Sequence, residues 1–177
     1  LGENGAGKST LIKCLTGVVA PSGGEIRLSG RTIAPTSPHE AESMGIAAVY
    51  QEVGLIPHLS IAENICLGRE PLRRFWPRFI DWRAVRYRAR SVLSRLGLSD
   101  LDVDRGVATC SVAVQQMVAI ARALAVASAK LLILDEPTSS LDLNESSRLF
   151  EVMRRLKAEG IGIIFITHFL DQVYQIS

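Results

Sequence analysis

Short apolar runs alternate along the chain with longer segments in which apolar positions recur at helical spacing. The runs Gly45–Tyr50, Leu131–Leu134 and Ile161–Thr167 have the continuous apolar character of strands that are buried on both faces. The segment Leu143–Glu159 instead repeats its apolar residues every three or four positions, as an amphipathic helix does. Strands that alternate with helices predict an α/β fold, in which helices flank a parallel sheet.

Capping residues and glycines indicate where the predicted helices begin and end. Ser60 with Glu63, and Asp142 with Glu145, have the spacing of a capping box. The other predicted elements are a helix over Ser9–Leu15 ended by Gly17, a strand over Glu25–Ser29, a helix over Ser60–Leu67, a break over Pro71–Pro77, a helix from Asp81 to about Leu96 ended by Gly97, a helix from Ser111 to about Val126, and a helix from about Leu170.

The segment from Gly2 to Ser9 is the strongest candidate for function, because it matches G-x-x-x-x-G-K-[ST] without a mismatch. Consecutive backbone N–H groups in such a loop form a concave anion site, and the following helix favours negative charge at its N-terminus. Lys8 can reach the β- and γ-phosphates of a nucleotide, and the Ser9 hydroxyl can bind Mg²⁺. The alternative interpretation is a glycine-rich turn that precedes a helix.

The place of this loop in the chain leads to a further expectation. The pattern requires a strand directly before it, but only Leu1 precedes it, and the chain has no initiator Met. We therefore expect an internal piece of a longer protein that lacks the first strands of the sheet. A parallel sheet without an interior strand exposes unpaired backbone and apolar faces. We expect residues 1–177 alone to be weakly stable, prone to aggregate and without useful hydrolysis.

Polar side chains follow the three apolar runs, at the edge of the sheet where ligands bind in α/β folds. They are Gln51, the pair Asp135 and Glu136, and His168. If the strands are parallel neighbours, Asp135 would hold Mg²⁺ and Glu136 would orient and deprotonate the attacking water. Gln51 could reach the Mg²⁺ or that water, and His168 could donate a hydrogen bond to the γ-phosphate. The alternatives are a surface acidic pair and a structural or exposed histidine.

Composition and charge narrow the classes of protein only a little. The chain has 47% hydrophobic residues, a net charge of +2 and three cysteines without metal-binding spacing, which fits free thiols in a reducing compartment. The apolar runs are too short to span a bilayer, so a membrane role would come through a partner. Nine arginines lie between Arg69 and Arg95. That stretch is interpreted as a nucleic-acid surface, as a solvated helix face, or as a face near phospholipid or an acidic partner loop.

Taken together, these residues resemble the ATP-binding subunit of ABC transporters over nearly the whole chain. Gly2–Ser9 resembles the Walker A motif and Leu131–Asp135 the Walker B motif. The other matches are Glu136 to the catalytic glutamate, Gln51 to the Q-loop, Ser140-Leu141-Asp142 to the D-loop and His168 to the H-loop. The resemblance implies ATP and Mg²⁺, catalytic roles for Lys8, Gln51, Glu136 and His168, Mg²⁺ ligands Ser9, Gln51 and Asp135, and nucleotide contacts from Gly2, Glu3, Asn4, Gly5, Ala6, Gly7, Lys8, Ser9, Thr10, Gln51 and Asp142.

Further segments resemble the ATPases of bacterial carbohydrate importers of the ribose, xylose and galactofuranose type. The matching residues are Gln51-Glu52, Leu55-Ile56-Pro57, Ala62-Glu63-Asn64-Ile65, Leu67-Gly68-Arg69-Glu70, Ser111-Val112-Ala113 with Gln115-Gln116-Met117-Val118, and Thr167–Tyr174, which is most similar to the galactofuranose branch. The resemblance implies the first of two tandem ATPase domains, peripheral on the cytoplasmic face of a bacterial inner membrane. It also implies a core of 1–51 and 127–177 with a helical subdomain over 52–126.

The same resemblance implies the partners. A transmembrane permease would dock near Val53–Glu63, which we call the docking segment, and a periplasmic sugar-binding protein would act indirectly through that permease. A second ATPase domain would close against this one on ATP. Nucleic acid is not expected as a partner. The competing hypothesis is a soluble ABC-type ATPase that acts on DNA or ribosomes, with the arginine-rich stretch as its support.

One segment departs from the family pattern. Where the ABC signature usually has Leu-Ser-Gly-Gly-Gln, this chain has Cys110-Ser111-Val112-Ala113-Val114. Ser111 is retained, and it is the residue best able to hydrogen-bond a γ-phosphate from a helix N-terminus. In the family the signature completes the nucleotide site of the opposite domain. The resemblance therefore assigns Ser111 to that other site and puts the activity of that site in doubt.

Overall fold

The computed structural model describes residues 7–73, 79–125 and 129–169. Its elements in chain order are α1 (Lys8–Leu15), β1 (Ile26–Leu28), β2 (Arg31–Ile33), α2 (Pro38–Met44), β3 (Ile46–Val49), α3 (Ile61–Cys66), α4 (Trp82–Arg95), a 3₁₀ turn (Val107–Thr109), α5 (Val112–Leu124), β4 (Leu131–Asp135), α6 (Leu143–Ala158) and β5 (Gly162–Ile166). The predictions for Gly2–Ala6, for residues 74–77 of the break, for Val126 and for the helix from about Leu170 lie outside the described residues.

Three parallel strands form the sheet beside the candidate site, in the order β3, β4, β5. In the register, Val49 is opposite Leu134, and Asp135 is opposite Ile166. The three apolar runs are therefore strands, and their predicted ends agree with the observed ends to within one residue. The parallel α/β architecture is confirmed.

Two elements that were not predicted, β2 and α2, precede this sheet. The strand predicted over Glu25–Ser29 is confirmed as β1. β2 pairs with it as an antiparallel hairpin, and its three residues are too few for a visible alternation. α2 buries only Ala41 among its seven residues, so it carries no apolar stripe. Its ends are nevertheless marked in the sequence, because Ser37 accepts a hydrogen bond from the Glu40 N–H and Gly45 ends the helix.

The predicted caps are present and have the expected geometry. The Ser60 hydroxyl accepts from the Glu63 N–H at 3.2 Å, and the Glu63 carboxylate accepts from the Ser60 N–H at 2.8 Å. Asp142 and Glu145 form the same reciprocal pair at the start of α6. Asp81 accepts from two N–H groups at the start of α4, as predicted. Each cap satisfies backbone donors that have no partner within the helix.

The core extends from β4 into the helices that pack around it. Residues Leu132, Ile133 and Leu134 are fully buried, which is the expected environment of a strand covered on both faces. The apolar face predicted for α6 is buried as well: Leu149, Val152, Met153 and Leu156. Helices α3, α4 and α5 pack against one another, and α5 also contacts β3 and α6. A helical subdomain over 52–126 stays a prediction, since one buried cluster continues across its boundary.

Two predictions from the sequence concern the state of the cysteines and the presence of a membrane-spanning segment. Cys14, Cys66 and Cys110 are all free thiols, as predicted. Burial raises the pKa of the Cys66 thiol, which keeps it protonated and unreactive. Within the described ranges, we find no helix with the length and apolar content needed to cross a membrane.

Candidate functional site

The register of the sheet brings the polar residues predicted at three strand ends to one edge. Gln51 lies two residues beyond Val49, Glu136 follows Asp135 directly, and His168 lies two residues beyond Ile166. Because the strands are parallel and in the register described above, these side chains leave the sheet at similar heights. We call Lys8, Gln51, Asp135, Glu136 and His168 the strand-end site.

Glu136 and His168 are brought into contact by the end of the ladder between β4 and β5. The Glu136 N–H donates to the Ile166 carbonyl at 2.9 Å, and the Oε1 atom of Glu136 lies 3.4 Å from Nδ1 of His168. Both side chains keep access to solvent, with 27% of Glu136 and 52% of His168 exposed. A carboxylate and an imidazole in this arrangement can share a proton and hold a water molecule between the protein and a ligand.

The backbone of Glu136 is strained. Its φ is 50°, in the left-handed region that costs a residue with a Cβ atom about 1–2 kcal/mol. Strained backbone concentrates at active sites, where the surrounding structure holds it in place. The strain therefore marks Glu136 as a candidate functional residue, independently of its position in a motif.

Asp135 and Lys8 connect the strand ends to the start of α1. Burial and the neighbouring Glu136 carboxylate raise the pKa of Asp135, while the Lys8 ammonium acts in the opposite direction. Lys8 is the first residue of α1, and Gly7 before it has φ 83°, a conformation that favours glycine. Ser9 and Thr10 are exposed in the first turn of α1. The described part of the predicted phosphate loop thus places the Lys8 ammonium near Asp135.

Comparison with known protein families identifies this arrangement. The family model described as ABC transporter matches residues 1–139 of the chain, which include the loop, β3, β4, Asp135 and Glu136. The chain belongs to the ABC transporter family. The predicted family is thereby confirmed.

Curated relatives of this ABC transporter chain are named for sugar transport. The galactofuranose transporter ATP-binding protein YtfR of Escherichia coli is 51% identical over 177 residues, covering 100% of this chain and 34% of that protein. The fructose import ATP-binding protein FruK of Bifidobacterium longum is 47% identical, with coverage of 100% and 34%. A ribose import ATP-binding protein of Rubrobacter xylanophilus is 50% identical, with the same coverage. The chain therefore spans about a third of the length of these relatives.

Solved structures of ATP-binding cassettes have the same fold. A nucleotide-free ATP-binding cassette from an ABC transporter superposes with a TM-score of 0.81 at 29% identity, covering 99% of this chain and 71% of that one. The structure of cbiO1 from Clostridium perfringens, part of the ABC transporter complex cbiONQ, gives a TM-score of 0.79 at 30% identity, covering 99% and 68%. The similarity extends through the described helices α3 to α5 as well as the sheet.

The segment that replaces the ABC signature begins α5. Ser111 is the N-cap, and its hydroxyl accepts from the Val114 N–H at 3.4 Å. Val112, which stands where the family usually has glycine, is 52% exposed. Ser111 is exposed too, so its hydroxyl is accessible to a ligand as well as to the helix. Asp142 of the D-loop segment caps α6, so its carboxylate has a structural role besides the predicted nucleotide contact.

Gln51 lines an open groove of about 540 Å³ between the docking segment and the start of α5. The docking segment contributes Val53, Gly54, Leu55 and Pro57 to the wall of the groove. The opposite wall carries Val107 and Gln115. Gln51 itself is exposed, so its amide can reach a ligand at the strand-end site or a partner in the groove.

The motif-based predictions assign no role to two polar residues that hold the docking segment, although Asn64 lies within the matching segment Ala62-Glu63-Asn64-Ile65. Arg122 of α5 donates to the carbonyls of Val53 and Gly54, at 2.7 and 2.8 Å. Asn64 of α3, which is fully buried, donates to the Ile56 carbonyl at 3.1 Å and accepts from the Ile56 N–H at 2.8 Å. A polar side chain within an otherwise apolar helix face is the sequence pattern that would have pointed to both residues.

Several described arginines of the arginine-rich stretch form ion pairs within the protein. Arg86 pairs with Asp104 at 2.6 Å, and Arg95 pairs with Glu159 at 2.7 Å. Arg69 pairs with Glu42. These ion pairs favour the interpretation as a solvated helix face over the one as a nucleic-acid surface, because paired guanidinium groups are less available to phosphates.

Proposed function

We propose that this chain carries the site at which a carbohydrate importer of the ABC type binds and hydrolyses ATP. The contact between Glu136 and His168 at the ends of adjacent parallel strands, beside Asp135 and Lys8, carries the proposal. This arrangement supplies a base, a cation for phosphate charge and a hydrogen-bond donor in one place, as phosphoryl transfer to water requires. The names of the relatives support a sugar as the transported substrate.

Each residue of the site has a distinct task in the proposed reaction. Lys8 and the N-terminus of α1 hold the β- and γ-phosphates. Glu136 orients a water molecule in line with the γ-phosphate and accepts its proton. His168 donates a hydrogen bond to the γ-phosphate and, through its contact with Glu136, fixes the carboxylate. Gln51 reaches the same region from the end of β3. Because the docking segment follows it closely in the chain, Gln51 links the presence of nucleotide to that segment.

The oxygen donors near Lys8 fit a magnesium ion. Ser9, Gln51 and Asp135 offer a hydroxyl, an amide oxygen and a carboxylate, the ligand types that Mg²⁺ prefers. The raised pKa of Asp135 shows that its negative charge is disfavoured by its surroundings, so a cation beside it is stabilising. When bound, Mg²⁺ would neutralise charge on the phosphate oxygens.

The partners proposed from the family are a second ATPase domain, a permease and a periplasmic sugar-binding protein. The permease would contact the docking segment and the groove beside Gln51 at the cytoplasmic face of the membrane. Ser111 would complete the nucleotide site of the second domain. We expect no steady turnover from the 177 residues alone, because the proposed reaction requires that second domain.

The substitution Glu136→Gln in the full-length protein tests the proposed function. ATP should still bind, while hydrolysis falls by about 10²–10⁴, the usual contribution of a general base. Glu151→Gln, on the exposed face of α6, is the matched control and should leave turnover unchanged. Uptake of labelled galactofuranose, ribose or fructose by cells that contain the permease should fall in parallel with hydrolysis. Unchanged turnover in Glu136→Gln would contradict the assignment of the base.

A further inference from the structure

Arg122 makes an unusual contact with the chain that follows Gln51. Its Nη1 and Nη2 atoms donate to two successive carbonyls, those of Gly54 and Val53, at 2.8 and 2.7 Å. The planar guanidinium can hold two acceptors at a fixed spacing, which a lysine ammonium cannot do. The contact therefore fixes both the position and the orientation of the backbone at these residues.

The two ends of this contact differ in how firmly the rest of the fold holds them. On the side of α5, the neighbours Ile120 and Ala121 are fully buried, and Leu124 is 3% exposed. On the other side, Gly54 is exposed and has φ 55°, a left-handed turn that favours glycine. The guanidinium thus joins a loop with an exposed turn at Gly54 to a helix that is buried around Arg122. Burial lowers the pKa of Arg122.

Hydrogen bonds that do not involve Arg122 hold the remainder of the docking segment. Asn64 holds Ile56 by its N–H and its carbonyl. The carbonyls of Pro57 and Leu59 accept from the N–H groups of Ala108 and Val107, at 3.3 and 3.1 Å. Removal of the Arg122 side chain would therefore release a short stretch around Val53–Leu55, next to Gln51, and leave the rest in place.

We infer that Arg122 is a positioning residue that couples Gln51 and the start of the docking segment to α5, the helix that begins at Ser111. The inference rests on the proposed function, because it assigns a role in the same nucleotide site. Arg122 contacts no reacting atom in this assignment. It sets where Gln51 stands relative to the strand ends, and it makes the loop move with α5 as one unit.

The chain contains a matched control for this contact. Arg88 of α4 also donates to two backbone carbonyls, those of Arg69 and Ala125, at 3.2 and 2.6 Å. It joins the segment after α3 to the end of α5, and it touches neither Gln51 nor the docking segment in the contacts described here. Substitution of either arginine thus removes a guanidinium that bridges two carbonyls. Only substitution of Arg122 is expected to affect Gln51.

The experiment compares Arg122→Lys and Arg122→Met with Arg88→Lys and Arg88→Met in the full-length protein and its permease. Hydrogen exchange without nucleotide is measured at the amides of Gly54 and Leu55, and the kcat and KM for ATP hydrolysis are measured separately. In Arg122→Met we expect exchange about tenfold faster or more, as loss of charge-assisted hydrogen bonds implies. We expect kcat to fall by about tenfold or more while KM stays within about twofold, since Lys8 and α1 are untouched.

The conservative variant and the controls decide between positioning and general support. Arg122→Lys should be intermediate in both measurements, because an ammonium can serve one carbonyl. Both Arg88 variants should leave kcat and the Gly54 amide unchanged. The inference is overturned if Arg122→Met alters exchange no more than Arg88→Met does, or if exchange rises while kcat stays the same. If the wild-type protein has no turnover, the proposed function fails, and the exchange rates alone then decide whether Arg122 holds the loop.

Discussion

The strand-end site and the docking segment lie at neighbouring parts of the molecule, but the fold builds them in opposite ways. In the strand-end site the reactive side chains are partly exposed and the backbone of Glu136 is strained. The docking segment lines a groove, while the buried Asn64 of α3 and the partly buried Arg122 of α5 hold its backbone. In the strand-end site, backbone strain lowers the stability of the fold at a place where reactive groups are presented to a ligand. In the docking segment, polar contacts fix the path of the loop backbone.

This difference predicts two kinds of mutational effect. Substitutions of Gln51, Glu136 or His168 should change turnover greatly and stability little, because these side chains are exposed or partly exposed. Substitutions of Arg122 or Asn64 should act first on the backbone of the docking segment. Variants that violate this separation would show that the two regions are one functional unit.

The largest effect is expected from His168→Ala. Loss of the imidazole removes a hydrogen-bond donor to the γ-phosphate and the contact with Glu136, so turnover should fall by about 10²–10⁴. Stability should change by no more than about 0.5 kcal/mol, since the side chain is half exposed. Single-turnover hydrolysis by the full-length protein gives the first quantity, and hydrogen exchange in β5 gives the second.

His39→Ala is the matched control for this prediction, because His39 is exposed on α2. It should leave both turnover and stability unchanged. A His168→Ala protein that hydrolyses ATP at the normal rate would remove His168 from the mechanism, whatever its distance from Glu136.

Most of the strand-end site could be predicted from the sequence, because each part of it follows a local rule. A continuous apolar run predicts a buried strand, and the polar residue after Val49, Leu134 or Ile166 marks where that strand ends. The phosphate-loop pattern and the capping boxes are equally local. The strand order β3, β4, β5 is not local: the sequence indicated only what would follow if these strands were parallel neighbours, and the structure shows that they are.

The contacts that hold the docking segment could not be predicted in the same way. Arg122 is 68 residues from Gly54 in the sequence, and no local rule relates them. Asn64 could be noticed as a polar residue between Ala62 and Ile65 on a buried face, but its partners at Ile56 depend on a loop with no regular structure. α2 was missed for a different reason, since a helix that buries only Ala41 has no hydrophobic periodicity.

An intermediate effect is expected from Asn64→Leu, which tests the second half of the comparison. Leucine has a similar size but removes the hydrogen bonds of the Asn64 amide to the N–H and carbonyl of Ile56. We expect a loss of about 1–3 kcal/mol in local opening free energy, the usual cost of a few lost hydrogen bonds. Hydrogen exchange of the α3 amides in the full-length protein measures it.

Asn144→Leu provides the control for Asn64, because Asn144 is exposed in the first turn of α6. It should change stability by no more than about 0.5 kcal/mol. If Asn64→Leu were equally mild, the docking segment would be held by its backbone pairing with residues 106–108 alone, and the contrast drawn above would lose one of its two supports.

The smallest effect concerns the strain at Glu136 and needs no nucleotide. Glu136→Gly and Glu136→Ala both remove the carboxylate, so the loss of its interactions cancels when the two variants are compared. They differ in that alanine keeps a Cβ atom at φ 50°, which costs about 1–2 kcal/mol, while glycine has a more disordered unfolded state, which costs about 0.5–1 kcal/mol. Glu136→Gly should therefore be the more stable of the two by up to about 1.5 kcal/mol, as measured by hydrogen exchange in β4 and β5. The same pair at Glu151, within α6, should show the reverse order, since glycine in a helix interior is about 1 kcal/mol worse than alanine. If the alanine variant is the more stable one at both positions, the left-handed conformation of Glu136 does not lower the free energy of unfolding. Exposure alone would then distinguish the strand-end site from the docking segment.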